Sequence, residues 1–325
     1  MLKIGNVELS SPVVLAPMAG VSTLPYREFM KPFGVALSYS EMISDCGLSY
    51  GNKETYEYFK TSKKERPIGL QIFGYSLDYA LKAIKILEEQ ADYDILDINL
   101  GCPVYKVTKQ GAGSAWLKKP SSLYTYMRAI CEASYKPVTA KIRLGWDENS
   151  INVKEVASLL EKAGCEGIAI HCRTAKQGYL GKADYSAIKD FHKVISIPFG
   201  VSGDIYSPED AKLAMDISGA DYVLVARGGL GHPNLVSDII SYLKDGTYDK
   251  TIDVLKQTQY AQSFAKMLVD YEGERRAIPQ LRGLIPHFFS GFPGYKRIRL
   301  AITDNIHSYV DLEKIFVSIS SRDHL

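Results

Sequence analysis

The sequence predicts an α/β fold: a (β/α)8 TIM barrel followed by a small C-terminal all-helical domain. Three observations carry that expectation. Eight apolar, strand-like runs recur through the first three quarters of the 325-residue chain, at residues 13–18, 36–42, 68–73, 95–100, 138–144, 167–172, 198–202 and 222–226. The runs are continuous rather than alternating, so both faces are buried, as in a parallel sheet. Helical patterns separate most of them, and past Asp238 no strand-like run remains. Eight such strands interleaved with helices close as a barrel. The alternative, a doubly wound open sheet, lacks the G-x-G-x-x-G that would follow its first strand.

The helices follow from residue spacing. Residues 77–90 are apolar at Leu77, Ala80, Leu81, Ile84 and Leu87, a helical period, and 153–163 behave likewise. A third helix, over 208–217, opens with Ser207 as N-cap, Pro208 in the first turn, and Glu209 and Asp210 at the positive dipole end. The texture changes near Asp245-Gly246-Thr247, and long helical patterns follow, such as 252–269 and 298–315. These boundaries predict a barrel over 1–242 and a helical domain over 243–325.

Composition narrows the class. Hydrophobic content of 46% and charged content of 23% are those of a soluble globular protein. The N-terminus has no signal-peptide core, and no run reaches the roughly 20 apolar residues of a membrane span. A cytoplasmic protein with no membrane partner is expected. Five widely spaced cysteines form no C-x-x-C pair, so reduced thiols and no metal site are expected. A net charge of +2 leaves nucleic acid open, and the clustering of charge becomes the better guide.

In a barrel the site lies at the C-terminal ends of the strands. Those ends read Ala16-Pro17-Met18-Ala19-Gly20, Gln71-Ile72-Phe73-Gly74, Asn99 to Cys102, Lys141 and Arg143, His171-Cys172-Arg173-Thr174, Ser202-Gly203-Asp204, and Arg227-Gly228-Gly229. One Asn or Gln at a strand end often just caps a turn, and one His is often a core residue. Seven of eight ends bearing polar or glycine-rich groups signal a ligand site. Lys141 stands inside an apolar strand, where a charge needs a partner. The glycines after the seventh and eighth runs suit a phosphate held on backbone N–H groups. Gln71 can bond an amide-rich ring edge, Lys141 can stabilise negative charge, and Met18 offers a soft surface. These groups describe a phosphorylated, flat, polar cofactor; flavin mononucleotide suits, and other phosphorylated ligands remain possible. Cys102, just past a strand and beside Lys106 and Lys109, is placed to do chemistry.

A second cluster lies outside the barrel. Between Arg275 and Arg299 stand Arg275, Arg276, Arg282, Lys296, Arg297 and Arg299, with no acid and with Phe288, Phe289, Phe292 and Tyr295 among them. Basic groups interleaved with aromatics suit phosphate contact and base stacking. The phenylalanines are expected mostly in the core and the basic residues mostly on nucleic acid. Lys106, Lys109, Lys118, Lys119, Arg173 and Lys176 extend a basic rim around the barrel mouth.

The motifs APMAG (16–20), SEM (40–42), LQIFG (within 69–74), DINLGCP (97–103), KVTKQGAGSA (106–115), KIRLGW (141–146), HCRT (171–174), SGDI (202–205) and ARGGLG (226–231) resemble, in order, those of tRNA-dihydrouridine synthases. The pattern is most similar to the bacterial B-type branch. The resemblance implies an FMN-binding barrel and a helical tRNA-recognition domain. It also implies NADPH as reductant, sharing the open flavin face, and a uridine of tRNA, in the D-loop, as substrate. Carried over, the flavin contacts fall on Pro17, Met18, Ala19, Gln71, Lys141, His171, Gly203, Asp204, Ala226 and Arg227. Ser202 stands where the family has Asn, keeping a donor and an acceptor on a shorter side chain. The general acid falls on Cys102, and Asn99 and Arg143 face the target uracil. A monomer is expected, since mouth and basic domain must admit a large substrate. The rivals are a dihydroorotate dehydrogenase-like flavoenzyme on a free pyrimidine, which has no use for the basic helical region, and a tRNA-binding protein or chaperone with secondary redox activity.

Overall fold

The computed structural model describes residues 2–321. Eight parallel strands close a barrel in sequential order: β1 (Val13–Leu15), β2 (Leu37–Ser44), β3 (Ile68–Phe73), β4 (Ile95–Asn99), β5 (Val138–Arg143), β6 (Gly167–His171), β7 (Phe199–Ser202) and β8 (Tyr222–Val225), which pairs back onto β1. Strand β2 runs two residues beyond the predicted 36–42, because a register irregularity between Tyr39 and Met42 carries its pairing with β3 on to Ser44.

Side chains alternate between two environments. Leu70, Ile72, Leu96, Ile98, Ala140, Ile142, Ile168 and Ile170 belong to the large core shared with the surrounding helices. The intervening residues point inward. At the barrel floor Val14, Leu37, Tyr39, Ile95, Tyr222 and Leu224 form a second apolar cluster, sealed by Ile4 and Leu9 of an N-terminal hairpin (Lys3–Ile4 with Val7–Glu8). Tyr39 and Tyr222 lie against Gly69 and Gly200, where a Cβ would fall 2.4 and 2.2 Å from the rings. Above this floor the inward residues become polar. Gln71, Asp97 and Thr139 are neighbours across β3–β5, Asn99 pairs with Lys141, and Arg143, His171 and Ser202 are neighbours across β5–β7.

The outer helices are α1 (Leu24–Met30), α2 (Asp45–Ser49), α3 (Leu77–Gln90), α4 (Pro120–Ala133), α5 (Val153–Ala163), α6 (Pro208–Ser218) and α7 (Asn234–Asp245). Ser207 caps α6 as its sequence predicts, its hydroxyl accepting from the Asp210 N–H. The β6–β7 connection holds two short 3₁₀ turns instead of an α-helix.

Four further helices follow: α8 (Val254–Glu272), α9 (Glu274–Leu284), α10 (Tyr295–Asn305) and α11 (Tyr309–Ser320). They are anchored to the barrel by aromatic contacts, Phe264 of α8 meeting Tyr26 and Phe29 of α1 at 5.7 and 5.4 Å between ring centroids. The helical pattern over 298–315 is two helices rather than one. Ser308 starts a new helix with a reciprocal cap to Asp311, and Arg282 holds the intervening Ile306 carbonyl. No helix among the described residues is long and apolar enough to cross a membrane.

Candidate functional site

Two adjoining cavities open at the C-terminal end of the barrel. The first, of about 100 Å³, is lined by the ends of β7 and β8, including Ser202, Gly203, Asp204, Ala226, Arg227 and Gly228. The second, of about 340 Å³, is lined by Ala19, Met42, Gln71, Asn99, Cys102, Val104 and Arg143 among others. Pro17, Met18, Lys141, His171, Tyr179 and Arg227 line both, so the two form one cleft. Its size suits a nucleotide-sized ligand. All the strand-end residues read as cofactor contacts therefore meet here, as do Cys102, Asn99 and Arg143.

Asp97 organises the inner wall. Its carboxylate accepts from Thr139 Oγ1 and from Gln71 Nε2, both at 2.6 Å. Gln71 Oε1 then accepts from Asn99 Nδ2 at 2.8 Å, and Asn99 Oδ1 accepts from the Cys102 backbone N–H at 2.9 Å. A carboxylate only accepts, so the orientation of both amides is fixed from Asp97 outward. Burial pushes the Asp97 carboxyl up to about 6, opposed by the Thr139 and Gln71 hydrogen bonds and the Lys141 charge. Sequence reasoning missed Asp97; its signal was a carboxylate two residues before Asn99, on the same strand face.

Burial also pushes the Cys102 thiol up from its usual value, against the opposing pull of the Val104 N–H, Arg143 and Lys141. Cys102 is thus a protonated thiol at neutral pH. Lys106 and Lys109 lie solvent-exposed on the turn that follows. Lys141 has no hydrogen-bond or ion-pair partner among the described residues, and burial lowers its ammonium to about 8, with Arg143 adding to the effect. An unpartnered ammonium on a cavity wall calls for an anionic ligand.

His171 is uncharged: burial, then Lys141 and the nearby arginines, depress its pKa strongly. Arg173 Nη1 lies 3.3 Å from His171 Nε2, and a guanidinium only donates, so Nε2 accepts and the ring proton is assigned to Nδ1. Arg143 donates to the carbonyls of Gly101, Thr174 and Gly178 through Nε and Nη1, leaving Nη2 without a protein partner among the described residues. The Arg227 guanidinium stacks 4.3 Å from the Tyr179 ring centroid. Tyr179 and Met42 are cavity residues that sequence reasoning missed; Tyr179 sits in a loop with no helical or strand pattern to mark its direction.

The first cavity offers backbone donors. The N–H groups of Gly203, Asp204, Arg227 and Gly228 have no acceptor within the protein among the described residues. Gly203 takes φ +114°, and a Cβ there would lie 2.9 Å from Ala183 Cβ. Ser202 is buried with its hydroxyl toward the Ile170 carbonyl at 3.4 Å. These free donors and the free ammonium fit a phosphorylated anionic cofactor, and the Pro17–Met18–Ala19 wall fits its flat face.

Two expected nucleic-acid contacts are corrected. Arg173 is 2% exposed, not on the rim: it ion-pairs with Asp204 and binds the Leu180 and Gly181 carbonyls. It holds the β6–β7 loop, and Asp204 is engaged by it in turn. Arg282 is committed to the Ile306 carbonyl and His307. Phe288 and Phe289 are core residues, as expected. Arg275, Arg276, Lys296, Arg297 and Arg299 are exposed. The first pair lies in the first turn of α9 and Lys296 and Arg297 in that of α10, where the helix dipole disfavours cations, by about 0.3–1 kcal/mol each.

The profile of the dihydrouridine synthase (Dus) family matches residues 14–320. The chain is 34% identical over 299 residues to "Probable tRNA-dihydrouridine synthase 1" of Synechocystis sp., covering 92% of this chain and 83% of that protein. It is 34% identical to "Probable tRNA-dihydrouridine synthase" of Rickettsia conorii, covering 93% and 91%, and 34% identical to "tRNA-dihydrouridine synthase B" of Shewanella oneidensis, covering 85% and 86%. The barrel is similar to an old yellow enzyme homologue from Zymomonas mobilis, with TM-score 0.55 at 13% identity over 79% of this chain and 94% of that one. Histamine dehydrogenase from Rhizobium sp. 4-9 gives TM-score 0.55 at 11% identity over 82% and 50%. These last two likenesses concern the fold alone.

Proposed function

The chain belongs to the dihydrouridine synthase family, and from that premise we propose that it reduces the C5–C6 double bond of a D-loop uridine in tRNA, with FMN as cofactor and NADPH as reductant. When bound, FMN would supply the hydride that reaches C6 of the base. The observation that carries the reading is a protonated Cys102 thiol lining the same cleft as the unpartnered Lys141 ammonium.

The chain's own residues divide the remaining work. Pro17, Met18, Ala19 and Gln71 hold the cofactor's ring. Backbone N–H groups of Gly203, Asp204, Arg227 and Gly228 hold its phosphate, beside Ser202 and Ala226. Lys141 supplies fixed positive charge, and neutral His171 supplies an N–H donor. Cys102 Sγ–H gives its proton to C5 as hydride arrives at C6; the thiolate then regains a proton from water. The free Nη2 of Arg143 and the remaining Asn99 N–H orient the uracil carbonyls. The base leaves its stack to reach the cleft, at a cost of a few kcal/mol that is smallest in a loop.

Residues 1–242 are the catalytic unit and 243–325 the tRNA-recognition domain in this reading, with Arg275, Arg276, Lys296, Arg297 and Arg299, together with Lys106 and Lys109, on RNA phosphates. A visible spectrum of the purified protein tests the cofactor through its flavin bands. Cys102→Ala tests the acid: tRNA-dependent NADPH oxidation falls about a hundredfold or more, while slow tRNA-independent oxidation persists. Undiminished tRNA reduction by Cys102→Ala contradicts the assignment.

A further inference from the structure

The lip of the cleft on the β2–β4 side carries tyrosines that no step above uses. Tyr105 is 75% exposed, Tyr50 73% and Tyr75 51%. They are grouped rather than scattered. The Tyr50 and Tyr79 rings lie 5.6 Å apart at their centroids, with their hydroxyls 2.8 Å apart. Tyr75 stands one turn before Tyr79. The β4 loop packs on the same spot, since a Cβ at Gly111 would lie 3.6 Å from Tyr75 Cβ. That loop carries Tyr105, Lys106 and Lys109 on a one-turn helix and the residues after it.

The patch is continuous with the cleft. Cys102, Pro103 and Val104 line the cavity, and Tyr105 is the next residue outward. Lys106 and Lys109 are exposed on the β4 loop, Lys53 on the short helix after Tyr50 and Lys82 on α3, against exposed Glu54, Glu57 and Asp78, leaving an excess of positive charge. Exposed aromatic faces with cations between them are the chemistry of base stacking and phosphate contact. Each such stack contributes enough to be read by alanine substitution.

We propose that Tyr50, Tyr75 and Tyr105 form a stacking platform for the unpaired nucleotides flanking the uridine that enters the cleft, with Lys106 and Lys109 on the adjoining phosphates. The proposal rests on the tRNA reading above. It accounts for how a base drawn from its stack stays beside Cys102: its neighbours exchange base–base for base–tyrosine stacking on the lip. The occupant is RNA, because the cleft already admits a base and the surrounding charge is positive.

The test is affinity of the full-length protein for an unmodified tRNA transcript, by filter binding at fixed salt, with sedimentation run alongside. Tyr105→Ala and Tyr75→Ala are expected to raise Kd about tenfold each, and KM with it, while kcat at saturating transcript stays within twofold of wild type (roughly, since no reacting atom is touched). Tyr105→Phe and Tyr75→Phe keep the ring and are expected to bind as wild type. Alanine variants that bind as tightly as wild type overturn the platform and leave the tRNA reading standing. Phenylalanine variants as weak as the alanine ones overturn stacking as the cause. A patch serving self-association would instead lose dimer on Tyr→Ala substitution with RNA affinity unchanged, which also overturns the proposal. A wild-type protein that binds no tRNA overturns the platform and the tRNA reading together.

Discussion

Asp97 sets the direction of the side-chain hydrogen bonds that run through Gln71 and Asn99 to Cys102. Replacing its carboxylate by a methyl group leaves the Gln71 Nε2 and Thr139 hydroxyl donors without their acceptor and frees the Gln71 and Asn99 amides to turn. One buried donor left unpaired costs about 1–3 kcal/mol. Asp97→Ala is therefore expected to lower kcat by about tenfold or more and to shift the visible spectrum of bound flavin; unchanged kcat and spectrum count against the network. The sign of a pH effect follows from Lys141, whose ammonium loses its proton as pH rises through about 8 in the ligand-free protein. FMN affinity is thus highest below that pH and weakens above it. Titration calorimetry of the flavin-free protein across this range should show the decline, and Lys141→Met should flatten it. At this scale Cys102 and Asn99 were legible because a polar residue at the end of an apolar strand is conspicuous, and Lys141 because a lysine inside one needs a partner. Asp97 was hidden inside the run. Arg173 and Arg282 read as surface cations because their partners, Asp204 and Ile306, lie 31 and 24 residues away.

The strands were legible as elements because their outward faces are largely apolar, β2 with its buried Ser38 being the exception. Their inward faces were not: the change from apolar floor to polar upper layer along one strand is invisible until the barrel closes. The extension of β2 and the break at Ser308 are decided by a register shift and a local cap, neither of which alters hydrophobic periodicity. The β7 end illustrates how an element positions the site. Gly203 needs φ +114°, and any Cβ there presses on Ala183 and, at 3.1 Å, on His171 Cδ2. Gly203→Ala is expected to destabilise the protein by about 1–2 kcal/mol and to weaken FMN retention, read by thermal melting with and without added FMN. A variant that melts like wild type and holds flavin equally removes the phosphate role from this turn.

Across the whole molecule, cations gather in two places, the cleft and the helices α9 and α10. The larger cavity has Lys141, Arg143 and Arg227 on its walls and no carboxylate. Helices α9 and α10 carry exposed cations where their own dipoles disfavour them. The charge total of +2 revealed little of this, since it sums 39 basic and 37 acidic residues over the whole chain and is blind to where they cluster. If several of these cations meet phosphates, log Kd for tRNA rises steeply and linearly with log salt concentration, and a flat response contradicts the phosphate assignment. Arg275→Ala and Arg297→Ala each reduce that slope, whereas Arg173→Ala acts on stability instead. The claim on which the rest depends is the reaction itself. Mass spectrometry of an unmodified tRNA transcript incubated with the protein, FMN and NADPH tests it most directly: the account predicts one D-loop uridine carrying the mass of two added hydrogen atoms, and a transcript recovered unchanged while NADPH is consumed would contradict it.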